Sequence, residues 1–587
     1  MSKKIVIIGG VAGGATAAAR IRRLDENAEI TIFEQGDYVS FANCGLPYFV
    51  GGEIAAKQDL LLQTPRGFKI RYNIDVNTGC KVTEINRAAK TVMVENIATG
   101  ETFAQSYDKL LLAPGAESII PESFDKSGLT DDANLKIATL QTVDAAEALK
   151  EFANESGAKT AVIAGGGAIG LELAESLRKK GINVHVAEMA QQILPHFDED
   201  MARFAQKHLH SCGVTLHLGA GVVAAYDDPA GGNRAKVRLG NGEEIAADIL
   251  VFAVGVKPRS SLALDCGLEC NARGAIVTDS GMKTSDNDIF AVGDAVETFD
   301  FATGEHRTFA LAGPANKQAR IAADNICAAL NKTNTATLGT NAFEAEQVQT
   351  DILENNLKYA AEYAGAQGSS IVRVFGLAAA STGMNEKTAR SSGLNYEKVF
   401  LLAQSHAGYY PGGNSIVVKV LFSLDDGKIL GAQLFGGEGT DKRCDVLATA
   451  IRMGATATDL TQLDLCYAPP YSSAKDPVNM VGYIAENILT GKVKQFHWHE
   501  VAALPQNGTV QKLDVRTTGE FLHGNIPRFT NIPLDELRGR LGELEKSKPV
   551  YVHCHSGQRS YLACRILTQN GFDCYNLSGG WFLYNNM

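Results

Sequence analysis

The sequence predicts an α/β protein of several domains, and three observations carry that prediction. A strand, glycine-rich turn, helix and second strand follow one another from Ile5, and the same order returns from Ala161. At 587 residues the chain exceeds what one core holds, since domains run to roughly 100–200 residues. The texture then changes twice, to strand-like runs near residue 366 and to a compact α/β module from about Val501.

Composition is that of an ordinary globular protein, 45% apolar and 21% charged. A net charge of −11 argues against a nucleic-acid partner, because neutralising phosphates needs a basic surface. The first apolar run, Ile5 to Ile8, is shorter than the roughly 7–15 residues of a secretory core or the roughly 20 of a membrane span. Neither a signal nor an anchor is expected. The eleven cysteines contain no CxxC pair and no His/Cys cluster with metal-binding spacing, so no metal site is expected. Scattered cysteines in odd number fit a reducing, cytoplasmic setting.

In the first unit the strand Ile5–Ile8 runs into GGVAGG, an Ala-rich helix reaches Arg23, and the strand Glu29–Phe33 ends at Glu34. In the second, AVIA leads into GGGAIG, a helix extends through Lys180, and NVHVAE ends at Glu188. Each turn sets a helix N-terminus, with free N–H groups and a positive dipole, opposite a strand end, which suits a pyrophosphate. The second turn has the full glycine spacing in Gly165, Gly167 and Gly170. The first keeps Gly9 and Gly14, but Val11 stands at the middle position beside Ala12, with Gly10 and Gly13 restoring backbone approach. Two such units predict two dinucleotide sites. Glu188 can accept from ribose hydroxyls and repels a 2′-phosphate, and Met189 to Gln192 hold no Arg or Lys, which favours NADH over NADPH.

TSDNDIFAVGDA (Thr284–Ala295) resembles the second flavin motif of the FAD-dependent pyridine nucleotide-disulfide oxidoreductases. LLLAPGA (Leu110–Ala116) and LVFAVGVKP (Leu250–Pro258) look like that family's two crossover strands. The resemblance implies two Rossmann-like dinucleotide-binding domains: an FAD-binding domain in two parts, 1–117 and 250–330, around an NADH-binding domain, 118–249. A polar insertion, 331–364, with a loop-like first half and an amphipathic helical second half, precedes an α+β dimerisation domain at 365–490. FAD contacts are then expected from Gly9, Gly10, Val11, Ala12, Gly14, Glu34, Ala113, Gly115, Gly293 and Asp294, the last on the ribitol. NADH contacts are expected from Gly165, Gly167, Gly170, Glu188 and Gly255.

SFANCGLPYFVGG places Cys44 just before an expected helix, where the dipole would stabilise a thiolate. Most members of the family carry two cysteines here, and this chain has one. SFANCGLPY, LAGPANKQAR (Leu311–Arg320) and YAPPYSSAKDPVN (Tyr467–Asn479) are most similar to the coenzyme A-disulfide reductase branch. That similarity implies a homodimer in which Tyr409 (Tyr410 being the alternative) and Tyr467 serve the partner's cysteine. It also implies coenzyme A contacts at Thr16, Arg23, Ser40, Asn43 and Lys475. Arg20, Arg22 and Arg71 extend a basic surface for the coenzyme's phosphates, although Arg20 and Arg71 stand where the family carries other residues.

LDVRTTGEFLHGNIPRFTNIPLDEL and VYVHCHSGQRS resemble a rhodanese-like domain, here 500–587. Four residues separate Cys554 from Arg559, one fewer than a cysteine phosphatase needs around phosphate. Loop N–H groups and Arg559 are expected to favour a thiolate or persulfide at Cys554. The resemblances imply a reductase that uses FAD, NADH and Cys44 on the S–S bond of coenzyme A persulfide, polysulfide or coenzyme A disulfide. Cys554 would deliver the sulfur, and a sulfur-donor protein could dock at its domain. The alternatives are an NADH oxidase with oxygen as acceptor and a sulfur-relay protein acting on partner proteins.

Overall fold

The computed structural model describes residues 2–130, 134–155, 157–228, 234–335 and 361–587. The chain forms two compact units, Met1–Met189 with Gly219–Ala366, and Ala190–Leu218 with Gln367–Met587.

In the first unit, strands Ile289–Ala291, Lys109–Leu112, Lys4–Ile8, Glu29–Phe33 and Asp75–Asn77 lie side by side in that order, all parallel. Their apolar runs are buried on both faces, as parallel strands require. Lys136–Thr139, Ile249–Phe252, Thr160–Ala164 and Asn183–Glu188 repeat the arrangement. The two predicted units therefore occupy equivalent places in two sheets. The crossover segments meet as an antiparallel pair, Ala116–Ser118 with Val256–Pro258.

Helix Ala12–Leu24 packs along helix Ala312–Thr335 through small residues, Ala15 and Ala18 on one and Ala319, Ala322 and Ala323 on the other. Small side chains let the two backbones approach closely. The first five residues of the predicted polar insertion, 331–335, belong to this helix rather than to a loop. Its helical second half falls largely on 336–360, outside the described residues.

Arg22 corrects the expectation of a basic helix end. It is 4% exposed, and its guanidinium donates to the carbonyls of Tyr72, Asp25, Glu26, Ala28 and Asn73. A cation spent on five carbonyls closes the helix end and joins it to the chain near Tyr72; it is not available to an anion.

The second unit holds an antiparallel sheet in the order Ser370–Val374, Leu377–Gly383, Ile429–Gly436, Ser415–Ser423, Tyr396–Gln404. Helices Thr440–Arg452 and Pro477–Leu489 join its buried face in one core, around Val418, Val420, Leu434, Leu447 and Val481. Lys419 is fully buried and donates to both Asp200 oxygens at 2.7 and 2.8 Å. Its ammonium also meets Asp198 at 3.0 Å and Glu386. The three carboxylates lie within 4.8 Å of one another, and the lysine supplies the cation that such a cluster needs.

A parallel sheet, Lys494–Phe496, Cys574–Leu577, Val550–His553, Gln511–Asp514 and Thr530–Asn531, organises the C-terminal module. Its first strand lies upstream of residue 500. Gln495 donates to the Lys398 carbonyl at 2.8 Å and His497 pairs with Glu397 at 2.9 Å. Phe582 stacks on Phe204 at 5.5 Å. The module is thus seated against the antiparallel sheet and helix Glu199–Ser211, not hung on a free linker. Among the described residues no helix is long and apolar enough to cross a membrane.

Candidate active site

The two glycine turns share one construction. Gly9 and Gly165 have φ of +94° and +110°, and a Cβ on either would run into a carbonyl, of Ala113 or Ala253. Only glycine meets both demands. At the end of the next strand, Glu34 Oε2 accepts from Gly10 N at 2.8 Å and Glu188 Oε2 accepts from Gly166 N at 2.8 Å. A Cβ on Gly167 would meet nothing within 4 Å, so the space at the N-terminus of helix Ala168–Lys179 is open.

A cavity of about 830 Å³ runs along the first turn, bordered by Val11, Ala12, Glu34, Gly115, Gly293 and Asp294. It is large enough for a dinucleotide-sized ligand. Gly10 and Gly14 are buried within the turn, and Ala113 closes it from the neighbouring strand. Burial raises the Asp294 carboxyl to about 6. Gln318, which the sequence reading passed over, is 1% exposed, accepts from Gly293 N at 2.8 Å and donates to Thr298. It fixes the glycine beside Asp294.

Cys44 sits in the 3₁₀ turn Asn43–Gly45, ahead of helix Leu46–Gly51. Ala42 N donates to Leu60 O at 2.8 Å, and a Cβ on Gly45 would clash with Leu60. Ser40 holds a left-handed φ of 49°, its N–H on Gly10 O and its carbonyl accepting from Leu62 N. The loop carrying Cys44 is therefore tied to the glycine turn itself, and its strain is held by contacts on both sides.

The expected dipole-stabilised thiolate is not what the chain provides. Burial, then the Glu172 and Asp294 carboxylates, raise the Cys44 thiol above its ordinary value, and only a backbone hydrogen bond opposes them. Glu172 also accepts from Tyr48 OH at 2.8 Å. It lies on the helix of the other glycine turn, and nothing local in sequence marks it.

Among the residues expected to hold coenzyme A, Thr16 donates to Asn316 at 2.6 Å and Arg20 pairs with Asp324 at 2.7 Å. Arg23 is exposed at the same helix end, and Arg71 is exposed in the last turn of helix Pro65–Tyr72. Ser40 and Asn43 flank the Cys44 loop. Lys475 is exposed on the second unit.

In that unit, Tyr409 OH and Tyr467 OH lie 2.9 Å apart, both rings exposed. Tyr410 instead sets its ring against His406, 5.5 Å between centroids. Arg443, 1% exposed, donates to Ser405 O, Ser472 Oγ and Asp476 Oδ2 at 2.9–3.1 Å. It thereby ties together the two loops that bear the tyrosines. A cavity of about 440 Å³ beside Tyr467 is bordered by His406, Lys442, Arg443 and Cys466.

In the C-terminal module Cys554 follows the strand Val550–His553 and is 1% exposed. Its sulfur accepts from Gly557 N at 3.1 Å and Ser560 Oγ at 3.2 Å. Gly557, with φ +101°, turns its N–H inward as the cap of helix Gln558–Gln569. Arg559 makes a two-pronged pair with Glu520, 2.7 Å on each arm, which draws the Glu520 carboxyl down to about 2. Among the described residues the direct donors to the sulfur are thus one N–H and one hydroxyl, while the Arg559 guanidinium is paired with Glu520. Ser560 directly follows Arg559 in sequence, and that adjacency is the signal that could have identified it.

Comparison with known proteins follows the same division. The model of the pyridine nucleotide-disulphide oxidoreductases matches residues 3–319, that of their dimerisation domain 369–477, and a rhodanese-like domain 497–587. The coenzyme A disulfide reductase of Staphylococcus haemolyticus is 32% identical over 486 residues, 83% of this chain and all of that protein. The structure of reduced Bacillus anthracis CoADR-RHD is 42% identical, with a TM-score of 0.89 over 100% of this chain and 98% of that one. A NAD-dependent persulfide reductase from A. fulgidus is 36% identical, with a TM-score of 0.84 over 99% and 100%. With one model covering more than half its length and a relative spanned end to end, the chain belongs to the pyridine nucleotide-disulphide oxidoreductase family.

Proposed function

We propose that the protein is an NADH-dependent reductase of sulfur–sulfur bonds on coenzyme A persulfide, polysulfide or coenzyme A disulfide, working as a homodimer. One observation carries the reading: Cys44 is exposed on a loop tied to the first glycine turn, in a chain that also holds Cys554 with a backbone N–H and a hydroxyl donating to its sulfur. FAD and NAD(H) come with the family. Along the first glycine turn, Glu34 and Asp294 would hold FAD, which would supply the passage of electrons from NADH to sulfur.

The chain's own residues do the rest. Gly167 leaves room for the NADH pyrophosphate, in a turn that Gly165 and Gly170 pack tightly, with Glu188 at the ribose and Gly255 at the crossover. On coenzyme A persulfide or disulfide the Cys44 thiolate attacks the carbon-bound sulfur of one coenzyme A, forming a Cys44–coenzyme A mixed disulfide and expelling sulfide or the other coenzyme A as thiolate. On polysulfide it takes up one sulfur as a Cys44 persulfide and expels the shortened chain. Tyr409 and Tyr467, already hydrogen-bonded to each other, hold a proton for the departing sulfur at the active site of the partner subunit. Thr16, Arg20, Arg23, Ser40, Asn43, Arg71 and Lys475 line the path of the coenzyme. Cys554, with Arg559 beside it, loads sulfur onto the coenzyme, received from an inorganic donor or from a sulfur-donor protein. Such an enzyme works in the cytoplasm, where thiols stay reduced.

The test is anaerobic NADH oxidation by the purified protein with each sulfur substrate. Sulfide or coenzyme A should appear in step with NADH loss, and the Cys44→Ser variant should release none. NADH loss that appears only when air is admitted, and tracks oxygen uptake without a sulfur substrate, would identify an oxidase. Stable complexes through Cys554, with little free sulfide, would identify a relay protein.

A further inference from the structure

Ser560 Oγ has one proton to give and two acceptors within reach. It lies 3.2 Å from Cys554 Sγ and 3.1 Å from Gly557 O. If the carbonyl receives that proton, the Cys554 sulfur keeps only the Gly557 N–H, at 3.1 Å. Two further donors reach the same carbonyl. Tyr561 N donates to it at 3.0 Å, the first backbone bond of helix Gln558–Gln569. Asn576 Nδ2 donates to it at 3.2 Å from the neighbouring strand, Cys574–Leu577. A carbonyl oxygen has two lone pairs, and these two donors fill both.

A second observation sets Asn576 apart. Its Oδ1 is buried and, among the described residues, has no hydrogen-bond partner. An unpaired buried acceptor is destabilising, and an apolar side chain of the same shape would not carry one. The orientation of the amide follows from the carbonyl it faces, where only the N–H₂ end can donate. Asn576 therefore keeps its bond to Gly557 while its other polar atom goes unpaired. Two more carbonyls of the loop, Cys554 O and His555 O, accept from the main-chain N–H groups of Trp581 and Phe582, each at 2.8 Å. The Gly557 carbonyl instead takes a side chain from the sheet, a contact that a substitution can delete.

We propose that Asn576 is a positioning residue for the sulfur step at Cys554. By filling the second lone pair of Gly557 O, it leaves the Ser560 proton for the Cys554 sulfur. With the simplest inorganic donor, the Cys554 thiolate attacks one sulfur of HSSH, the S–S bond breaks, and HS⁻ leaves with the bonding pair. A Cys554 persulfide remains, the attacking sulfur oxidised and the departing one reduced. The Ser560 proton stays on its own oxygen throughout. Without Asn576 the hydroxyl turns to the freed lone pair of Gly557 O, and the sulfur is left with the Gly557 N–H alone. Asn576 thus acts through Ser560 and not on the sulfur itself.

The inference rests on the loading role proposed for Cys554, and one experiment separates the two. Full-length flavin-loaded protein is mixed without oxygen with inorganic polysulfide and quenched with an alkylating agent at successive times. Mass spectrometry of the Cys554 peptide then gives the rate of persulfide formation. Asn576→Leu should lower the limiting rate by roughly threefold or more, with the half-saturating polysulfide concentration unchanged. Ser560→Ala should lower it by a similar factor. The double variant should be no slower than Ser560→Ala alone, because no hydroxyl proton is then left to direct. Asn576→Val, smaller and suited to a strand, is run beside the leucine variant and should behave alike. In both, Cys564 and Cys574, 2% and 5% exposed in the same module, should stay closed to alkylation in the native protein. Losses that multiply in the double variant, or wild-type rates in Asn576→Leu and Asn576→Val, would overturn the inference and leave the loading role standing. Wild-type protein that gains no persulfide at Cys554 would overturn both.

Discussion

Glu188 Oε2 accepts the Gly166 N–H at 2.8 Å, so the carboxylate that faces the open end of the second glycine turn is fixed by the turn itself. Glu34 and Gly10 repeat the contact in the first turn. In both turns the carboxylate at the end of the second strand is held in one position by the backbone of the turn.

That placement is expected to make NADH the preferred donor. Hydrogen bonds to charged groups contribute roughly 1.5–3 kcal/mol, which corresponds to about tenfold or more in kcat/KM. NADPH would lose those bonds and meet repulsion at its 2′-phosphate. Equal kcat/KM for the two nucleotides would refute this role for Glu188, and Glu188→Ala should narrow the gap by lowering the NADH value.

Glu172 and Asp294 set the pH behaviour of Cys44. Both carboxylates, after burial, raise the thiol, so the thiolate fraction, and with it alkylation and sulfur attack, should climb as pH rises through the neutral range. Glu172→Gln removes one negative charge and should move that climb to lower pH. The rate of Cys44 alkylation at pH 7 should rise by roughly threefold or more. An unchanged rate would mean that Glu172 does not act on the sulfur. Cys44→Ser should still let NADH bleach the flavin while sulfur release stops.

Cys554 should matter for some substrates and not for others. Inorganic polysulfide needs a loading step, whereas preformed coenzyme A persulfide carries its sulfur already. Cys554→Ala should therefore depress turnover of the first far more than the second, measured on one preparation at matched flavin content. Ser560→Ala removes one of the two direct donors to the Cys554 sulfur and should cause a partial loss with the same bias, roughly three- to tenfold for a hydrogen bond of about 1 kcal/mol. Equal losses on both substrates would place Cys554 in the common step.

Lys419 balances three buried carboxylates, and its removal should be among the costliest single changes in the second unit. Lys419→Met should lower unfolding free energy by roughly 3–5 kcal/mol, because Asp198, Asp200 and Glu386 lose their shared cation. In the wild type the Glu386 carboxyl is held far below its usual range by Lys419 and Lys398 against burial. Its contribution is therefore present above the unfolded value and is lost as pH falls toward the folded one. In the variant the crowded carboxylates should take up protons more readily when folded, so the deficit should shrink as pH drops from 7 to about 5. A denaturant series at both pH values checks this, and a pH-independent deficit would refute it.

The sequence by itself determined both dinucleotide-type units. A tight turn with positive φ and a carbonyl pressed against it admits only glycine, as at Gly9 and Gly165, so that local demand is written in residue type. The strand runs and the four-residue spacing from Cys554 to Arg559 are equally local. Tertiary structure alone decided what those local signals leave open. Arg22 and Arg23 are adjacent and chemically alike, yet one is buried on five carbonyls and the other exposed. Tyr409, not Tyr410, meets Tyr467, because Arg443 joins two loops far apart in sequence. Burial, and then the Glu172 and Asp294 carboxylates, raise the thiol at Cys44 that the local sequence predicts to be lowered. The reason is physical: backbone geometry is fixed by neighbours in the chain, whereas a side chain's charge state sums fields and burial from residues that only the fold brings near.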